Sequence, residues 1–329
     1  TVGLWTRHTK TMADIIVGTH ALIQQSVQIP KLALAIIDEQ HRFGVSQRQR
    51  LKQLAGTTAY TPHLLSMTAT PIPRSLALVL YGDLEVSLLR QLPRGRKPII
   101  TNLITPPQRR AWLQQLTKHL QQQEQIYVVA PRITAAGEDD VTSVEQEYTK
   151  LCAIFPQAKI AQLHGQLDPA EKQRLLTAFR DRQLDILVST TVIEVGVDVP
   201  SATVMVIEGA EQFGLAQLHQ LRGRVGRSDQ QSYCYVCTKA NPVPKRLEYF
   251  VKHHDGFMLA EYDLKQRGPG AVYGQDQSGY FNQFKLASLQ DTEQLEQVKT
   301  AAATLFPQLD HYPLVQAQLH RFTEQVHLE

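Results

Sequence analysis

The chain has 329 residues, 43% of them apolar and 20% charged, with a formal net charge of +3 and a pI near 8.7. These are the proportions of ordinary globular protein, and the length suits about two domains of ~150 residues. No apolar run approaches the ~20 residues of a membrane-crossing helix, the first ten residues lack the apolar stretch of a secretory signal, and three cysteines are too few for a disulfide framework, which fits a reducing cytoplasm.

Short β-branched runs read as buried parallel strands. In chain order the first of these are 14–18, 32–38 and 63–68. Leu92-Pro93-Arg94-Gly95-Arg96-Lys97-Pro98 has the composition of a linker. The polar tract Gln121-Gln122-Gln123 ends a solvated helix, and further strands follow at 126–130, 159–163, 186–190 and 204–208. A helix starts at Asp168-Pro169-Ala170-Glu171, with an Asp cap and Pro at the first helical position; Leu175, Leu176 and Phe179 give it an apolar face. After Thr238 the strand signal stops, Asn241-Pro242-Val243-Pro244 punctuates the chain, and the rest reads as helical with a sharp break at Arg267-Gly268-Pro269-Gly270. The alternation of strand and helix predicts α/β lobes with parallel sheets, with boundaries near 95 and 240.

Three clusters carry chemistry. Asp38-Glu39 ends a strand, so both carboxylates lie at the C-terminal edge of a sheet, where α/β proteins bind ligands. Asp38 can hold a hydrated Mg²⁺, and Glu39 can orient or deprotonate an attacking water. Thr68-Ala69-Thr70 follows the next strand. Arg222, Arg224 and Arg227 come much later and can neutralise phosphate. That order suits a two-lobed, nucleotide-driven motor. Such a motor also needs a phosphate loop of the type G-x-x-x-x-G-K-[ST]. The chain contains no Gly-Lys step, which predicts that it is the C-terminal part of a longer polypeptide.

The surrounding strings are more specific. Ile37-Asp38-Glu39-Gln40-His41-Arg42-Phe43-Gly44-Val45 with Gln47-Arg48, Ser66-Met67-Thr68-Ala69-Thr70-Pro71-Ile72-Pro73-Arg74, Val188 to Pro200, and Gln217 to Arg227 resemble the second, third, fifth and sixth helicase motifs of the RecG family of ATP-dependent DNA helicases, in superfamily 2. The resemblance runs from about Ala13 to the C-terminus; the first ten or so residues do not resemble the family. Transcription-repair factors of the Mfd type usually carry Glu-Gln where this chain has Gln40-His41. Helicases of the PriA type carry paired zinc-binding cysteines that are absent here. The tail, with Asp255-Gly256-Phe257, Asp263-Leu264, Arg267 to Gly270, Gly274 and Gln277-Ser278-Gly279, resembles the RecG element that couples ATP turnover to movement along duplex DNA.

The resemblance implies a fold and a set of roles. The fold is an α/β pair of RecA-like lobes with a mostly helical tail: residues 1–95 as an incomplete first lobe, 96–240 as a complete second lobe and 241–329 as the translocation hairpin and tail. Asp38 and Glu39 serve Mg²⁺ and water, Gly196, Asp198 and Gln220 lie near the nucleotide, and Arg224 and Arg227 reach the γ-phosphate. Gln40, His41, Thr68, Thr70, Arg267 and Gln277 couple nucleotide state to movement, and Thr19, His20 and Thr190 contact DNA. The cofactors implied are ATP and Mg²⁺. The partners implied are branched double-stranded DNA, such as stalled forks and Holliday junctions, and a single-strand-binding protein, for a monomeric cytoplasmic motor without a membrane anchor. An Mfd-like motor and an inactive truncated DNA-binding product are the alternatives.

Other features have plainer readings. Cys234-Tyr235-Val236-Cys237 has metal-ligand spacing, but only Cys152 remains to complete a zinc set that needs about four ligands; the pair reads as part of a buried strand. His253-His254-Asp255 reads as a helix end. Gly18-Thr19-His20 and His164-Gly165 follow strands, where free amides and a hydroxyl can hold a phosphate or simply make a turn.

Overall fold

The computed structural model describes residues 1–6, 9–23, 29, 32–39, 62–69, 86–89, 91, 93, 95–132, 143–191, 199–267 and 292–325. It divides into two compact units, Thr1–Thr70 with Thr300–Glu329, and Pro71–Lys299. No described helix is long and apolar enough to cross a membrane.

In the first unit, β1 (Val2–Trp5) pairs in parallel with β2 (Ile15–Gly18), and β3 (Leu34–Ile37) pairs in parallel with β4 (His63–Ser66). The last three fall within the strands expected from the sequence. β1 is new: it lies in the segment that resembled nothing, and the described residues of its link to β2 form no helix. The chain instead turns at Thr6–Thr9, runs back antiparallel to β1 at Lys10, and donates the Thr11 N–H to Leu4 O at 3.0 Å. It then crosses β1 at Gly3, where a Cβ would stand 2.4 Å from Thr11 O and 3.1 Å from Ala13 Cβ. Only glycine leaves that passage open. Ile23 and Ile37 pack with Trp5, Leu22, Ile29 and Leu32 into a small core. The same unit includes part of α7 (Thr292–Leu305) and α8 (Pro313–Gln325).

The second unit is built on a six-stranded, wholly parallel sheet. Its strands are β5 (Ile100–Ile104), β6 (Gln125–Val129), β7 (Ile160–Leu163), β8 (Ile186–Ser189), β9 (Ala202–Ile207) and β10 (Tyr233–Cys237), in the order β5-β10-β9-β6-β8-β7. β6, β8 and β9 are buried along their whole length, the pattern of strands covered on both faces. Side chains alternate between two cores. Ile126, Val128, Ile186, Val188, Val204 and Val206 face α1 (Arg109–Gln121) and α2 (Val144–Ile154), meeting Trp112, Leu116 and Leu151. Tyr127, Val129, Leu187, Met205 and Ile207 face the opposite layer, which holds α3 (Pro169–Arg180), α4 (Leu215–Arg222), α5 (Lys245–Lys252) and α6 (Gly256–Arg267); Phe179, Leu218, Phe250 and Leu259 fill that side.

Local signals explain where these elements begin and end. Asp168 caps α3 by accepting the Ala170 N–H at 2.8 Å, with Pro169 in the first turn, as the sequence predicts; Glu171 pairs with Arg174 one turn on. Gln121 ends α1, and Gln123 takes a positive φ of 58° just beyond it. The cysteine pair sits in β10, where both thiols are fully buried and burial pushes Cys234 up to about 12, so neither is a reactive thiolate. His253 is the C-cap of α5. β5, unlike the other strands of this sheet, was not legible as a strand: it is an edge strand with Thr101 and Asn102 at its centre.

Gln125 ties the N-terminal edge of this sheet together. It is 3% exposed. Its amide donates to Phe179 O at 2.6 Å and to Leu184 O at 2.7 Å, and its oxygen accepts from the Ser201 hydroxyl. Leucine here would fill the volume but orphan one buried carbonyl, one part-buried carbonyl and a part-buried hydroxyl, each costing ~1 kcal/mol. Gln125→Leu is expected to destabilise the unit by about 3 kcal/mol, lowering its thermal midpoint by roughly 6–12 °C. An unchanged melt would mean that those groups find other partners.

Candidate functional site

In the first unit the expected residues gather at the C-terminal edges of the strand pairs. β3 and β4 run side by side with Ile37 opposite Ser66, and the Met67 N–H donates to Ile37 O at 2.7 Å. The acidic pair that follows β3 and Thr68, which follows β4, therefore leave the same edge. Asp38 is exposed, and its carboxylate accepts the Glu39 N–H at 2.9 Å. Glu39 is half-buried with φ of 52°. A side-chain-bearing residue in that left-handed region costs ~1–2 kcal/mol, and such strain concentrates at functional sites. Two carboxylates and a hydroxyl leaving one sheet edge are hard-oxygen groups of the kind Mg²⁺ accepts with its own waters.

Thr19 follows β2. Its hydroxyl accepts the Ala21 N–H at 3.4 Å and its carbonyl accepts the Leu22 N–H at 3.0 Å, so it opens a short 3-10 helix over His20–Ile23. Gln40, His41, Thr70, Gly196, Asp198 and Gln277 lie outside the described residues. Arg267 is the last residue of α6.

In the second unit, Thr190 follows β8 with its N–H directed to Leu163 O at 3.4 Å, at the C-terminal edge of the sheet. Gln220 lies on α4, and Arg224 and Arg227 follow that helix. Three arginines within six residues looked like one phosphate-binding group; the structure separates them. Arg224 and Arg227 are half-buried, whereas Arg222 is 3% exposed. Its guanidinium donates to Phe250 O and His253 O at 3.1 Å and to His254 O at 3.3 Å, and lies 4.2 Å over the Phe250 ring. These are carbonyls at the end of α5 and just beyond it, which a helix leaves without partners. Arg222 caps α5 from the side. Burial pulls its pKa down to about 10, so it stays charged near neutral pH.

The other end of the α4 segment is held as well. Arg246, on α5, donates to Glu211 O in the turn before α4. That turn begins at Gly209, where φ is 59°, directly after Glu208 at the end of β9. Glu208 is 1% exposed and paired with Arg109, which stacks 5.0 Å over Trp112. Burial works against the Arg109 charge, but the hydrogen bonds and charge of Glu208 outweigh it and raise its pKa. Beside them, burial and then the Glu208 charge raise the Glu147 carboxyl. None of these supporting residues was singled out from the sequence. A charged residue directly after a wholly apolar strand (Glu208) is the one signal that pointed there.

His219 accepts from Arg222 at 3.1 Å through Nδ1. Burial first, then the Arg222 charge, lowers its pKa from 6.5 to about 4. The unfolded chain therefore takes up a proton between pH 6.5 and 4 that the folded chain refuses. The contribution of His219 to stability is complete above about pH 6.5 and is lost as the pH falls toward 4. Melts at pH 7.5 and 5 are expected to differ by about 2 kcal/mol from this group, and His219→Gln is expected to remove that difference. An equal acid loss in the variant would assign it to other groups.

Comparison with known proteins adds three matches. Residues 4–79 match the model described as DEAD/DEAH box helicase, 108–229 the helicase conserved C-terminal domain, and 253–318 the C-terminal part of domain 3 of the ATP-dependent DNA helicase RecG. The first of these reaches back into the segment that the sequence left unassigned. The chain is 51% identical over 312 residues to the ATP-dependent DNA helicase RecG of a Synechocystis strain, covering 93% of this chain and 37% of that protein. It is 49% identical over 281 residues to that of Aquifex aeolicus, covering 84% and 35%. It thus spans little more than a third of the length of these relatives. Among solved structures it is similar to RecG bound to a three-way DNA junction, with 38% identity, a TM-score of 0.65, and coverage of 85% of this chain and 39% of that one. A likeness of fold alone extends to the helicase MrfA, at 17% identity and a TM-score of 0.55, over 80% of this chain and 43% of that one.

Proposed function

Because the chain belongs to the RecG family, whose C-terminal helicase region it matches, we propose that it supplies the acidic pair, the arginine-bearing lobe and the coupling tail of an ATP- and Mg²⁺-driven translocase that remodels branched double-stranded DNA. The observation that carries this reading is the double tie between α4 and α5. Arg222 and Arg246 join the helix leading to Arg224 and Arg227 to the first tail helix at both ends. A displacement of the arginines therefore moves the start of the tail with them, which is what coupling hydrolysis to motion requires.

In this reading Asp38 would hold the metal, which would supply positive charge to the nucleotide phosphates, and Glu39 would orient the attacking water. Arg224 and Arg227 add positive charge to the γ-phosphate, and Gly196, Asp198 and Gln220 flank the nucleotide. Gln40, His41, Thr68 and Thr70 relay its state, Thr19, His20 and Thr190 bind the DNA backbone, and Arg267 and Gln277 pass the motion to the duplex. We keep 1–95, 96–240 and 241–329 as the lobes and tail. The phosphate loop and a branch-recognising domain would come from preceding sequence, and a cytoplasmic, monomeric protein fits this work.

The test uses this chain alone and a chimera in which the upstream part of the Synechocystis relative precedes it. The chimera is expected to hydrolyse ATP in response to forked DNA and to lose that activity with Glu39→Gln. This chain alone is expected to show negligible turnover, since its sequence has no G-x-x-x-x-G-K-[ST] string, whose amides and lysine hold the β- and γ-phosphates. DNA-stimulated hydrolysis by the chain alone that disappears with Glu39→Gln, or a chimera indifferent to branched DNA, would refute the reading.

A further inference from the structure

The loop that carries Arg224 and Arg227 ends on a set of contacts that none of the roles above uses. Gly226, between the two arginines, has φ of 76°. Its N–H donates to the hydroxyl of Ser232 at 3.1 Å, and Ser232 is 1% exposed. Ile99 closes the other side: a Cβ on Gly226 would lie 2.9 Å from Ile99 Cγ1 and 3.0 Å from Cδ1. The neighbouring Gln231 amide donates to Pro98 O at 2.8 Å, and the Ile100 N–H donates to Ser232 O at 3.0 Å. Residues 98–100 thus grip both the turn of the arginine loop and its exit. They follow directly on a turn at Pro93–Arg96, where Gly95 has φ of 89° and the Arg96 N–H reaches Pro93 O at 3.3 Å.

We propose that Ser232, with Gln231 and the Pro98–Ile100 segment, is a positioning clamp for Arg227. A left-handed residue immediately before an arginine sets the direction in which that arginine leaves the backbone. Gly226 can hold its φ with little cost, but glycine also visits many other conformations. Its own preference therefore does not fix the direction. The Ser232 hydroxyl selects one state by taking the Gly226 N–H, and the Ile99 side chain blocks the space into which the turn would otherwise flip. Gln231 and the ladder bond from Ile100 fix Ser232 to β5, so the reference for the arginine is the sheet edge rather than the loop. The clamp also places the loop one contact away from the segment read as the link between lobes. A pull on that segment reaches Arg227 through Pro98 and Gln231 without crossing the sheet. This inference rests on Arg227 acting at the nucleotide.

The experiment has two arms. In this chain, hydrogen exchange at the Gly226 amide is measured with and without Ser232→Ala; exchange is expected to rise roughly 3- to 10-fold, the worth of one hydrogen bond, with the melting midpoint little changed. In the chimera, Ser232→Ala is expected to lower kcat by roughly 10-fold or more, the effect of a misdirected group, with the KM for ATP held. Gln231→Ala, at a partly exposed site, is expected to act in the same direction more weakly. In an Arg227→Ala background Ser232→Ala is expected to add almost nothing, because both changes remove the same contribution. Unchanged Gly226 exchange, or a loss in kcat that simply adds to that of Arg227→Ala, overturns the clamp. If the unaltered chimera shows no DNA-stimulated turnover, the functional reading falls instead, and the exchange arm alone decides whether the clamp holds the loop.

Discussion

Arg227→Ala in the chimera is expected to lower DNA-stimulated ATP turnover by roughly 10³-fold or more while leaving DNA affinity within a few-fold. The motivation is positional. Arg227 lies beyond α4, on a loop whose other end is fastened to β5, and its Nε–H donates to Gly223 O at 3.3 Å. That bond lies within the loop itself and holds the stem of the side chain. A guanidinium brought to a γ-phosphate during reaction offsets the charge that develops there, and removing such an arginine typically costs 10³–10⁵ in rate. One cation among many backbone contacts, by contrast, changes a salt-dependent DNA affinity only slightly. Single-turnover hydrolysis at saturating ATP, with DNA binding measured in parallel, separates the two effects. An unchanged rate at saturation would take Arg227 out of the chemistry.

The second large effect is structural and concerns the neighbouring arginine. Arg222→Ala is expected to destabilise the second unit by about 3–5 kcal/mol, since each of three carbonyls left without its charged donor costs ~1 kcal/mol or more and the buried side chain's packing is lost as well. Three carbonyls at or beyond the end of α5 would lose their donor, the Phe250 ring its cation, and His219 the group that donates to it. Arg224→Ala, two residues along and only half-buried, is expected to cost about 1 kcal/mol, the centre of the range for point substitutions. Thermal melts of the two variants decide the matter, and hydrogen exchange locates it: in Arg222→Ala, protection should fall first in α5 and α6. Arg222→Ala melting beside Arg224→Ala would mean that water satisfies those carbonyls equally well.

That contrast also marks the reach of the sequence. The strands with unbroken β-branched runs were legible because they are covered on both faces: β6, β8 and β9 have no polar side and hence no competing period. Asp38-Glu39 and Thr68 were legible as candidates because each follows an apolar run read as a strand, and parallel neighbours put their following residues on one edge. β5 was not legible, since an edge strand can keep Thr101 and Asn102 in its middle. β1 was not, since four residues containing a glycine carry too little pattern. Arg222 looked like its neighbours because its use depends on α5, which lies more than twenty residues further on and whose terminal carbonyls have no sequence signature. The same holds for Glu208 and Arg109, and for Ser232 and Ile99: each pair is set by strand order, which brings residues about a hundred or more apart into contact.

The short return between β1 and β2 has a consequence for the order in which the chain can organise. A parallel pair normally waits for a crossover of a dozen or more residues, usually a helix, to form and dock. Here Val2 meets Ile15 across a link of nine residues that itself bonds to β1. The entropy lost in closing so short a loop is small, and the contacts that reward it are local, the property that goes with fast folding. The pairing most distant in appearance from a hairpin is therefore, in this chain, nearly as local as one, and Gly3 is the residue whose missing side chain makes that possible.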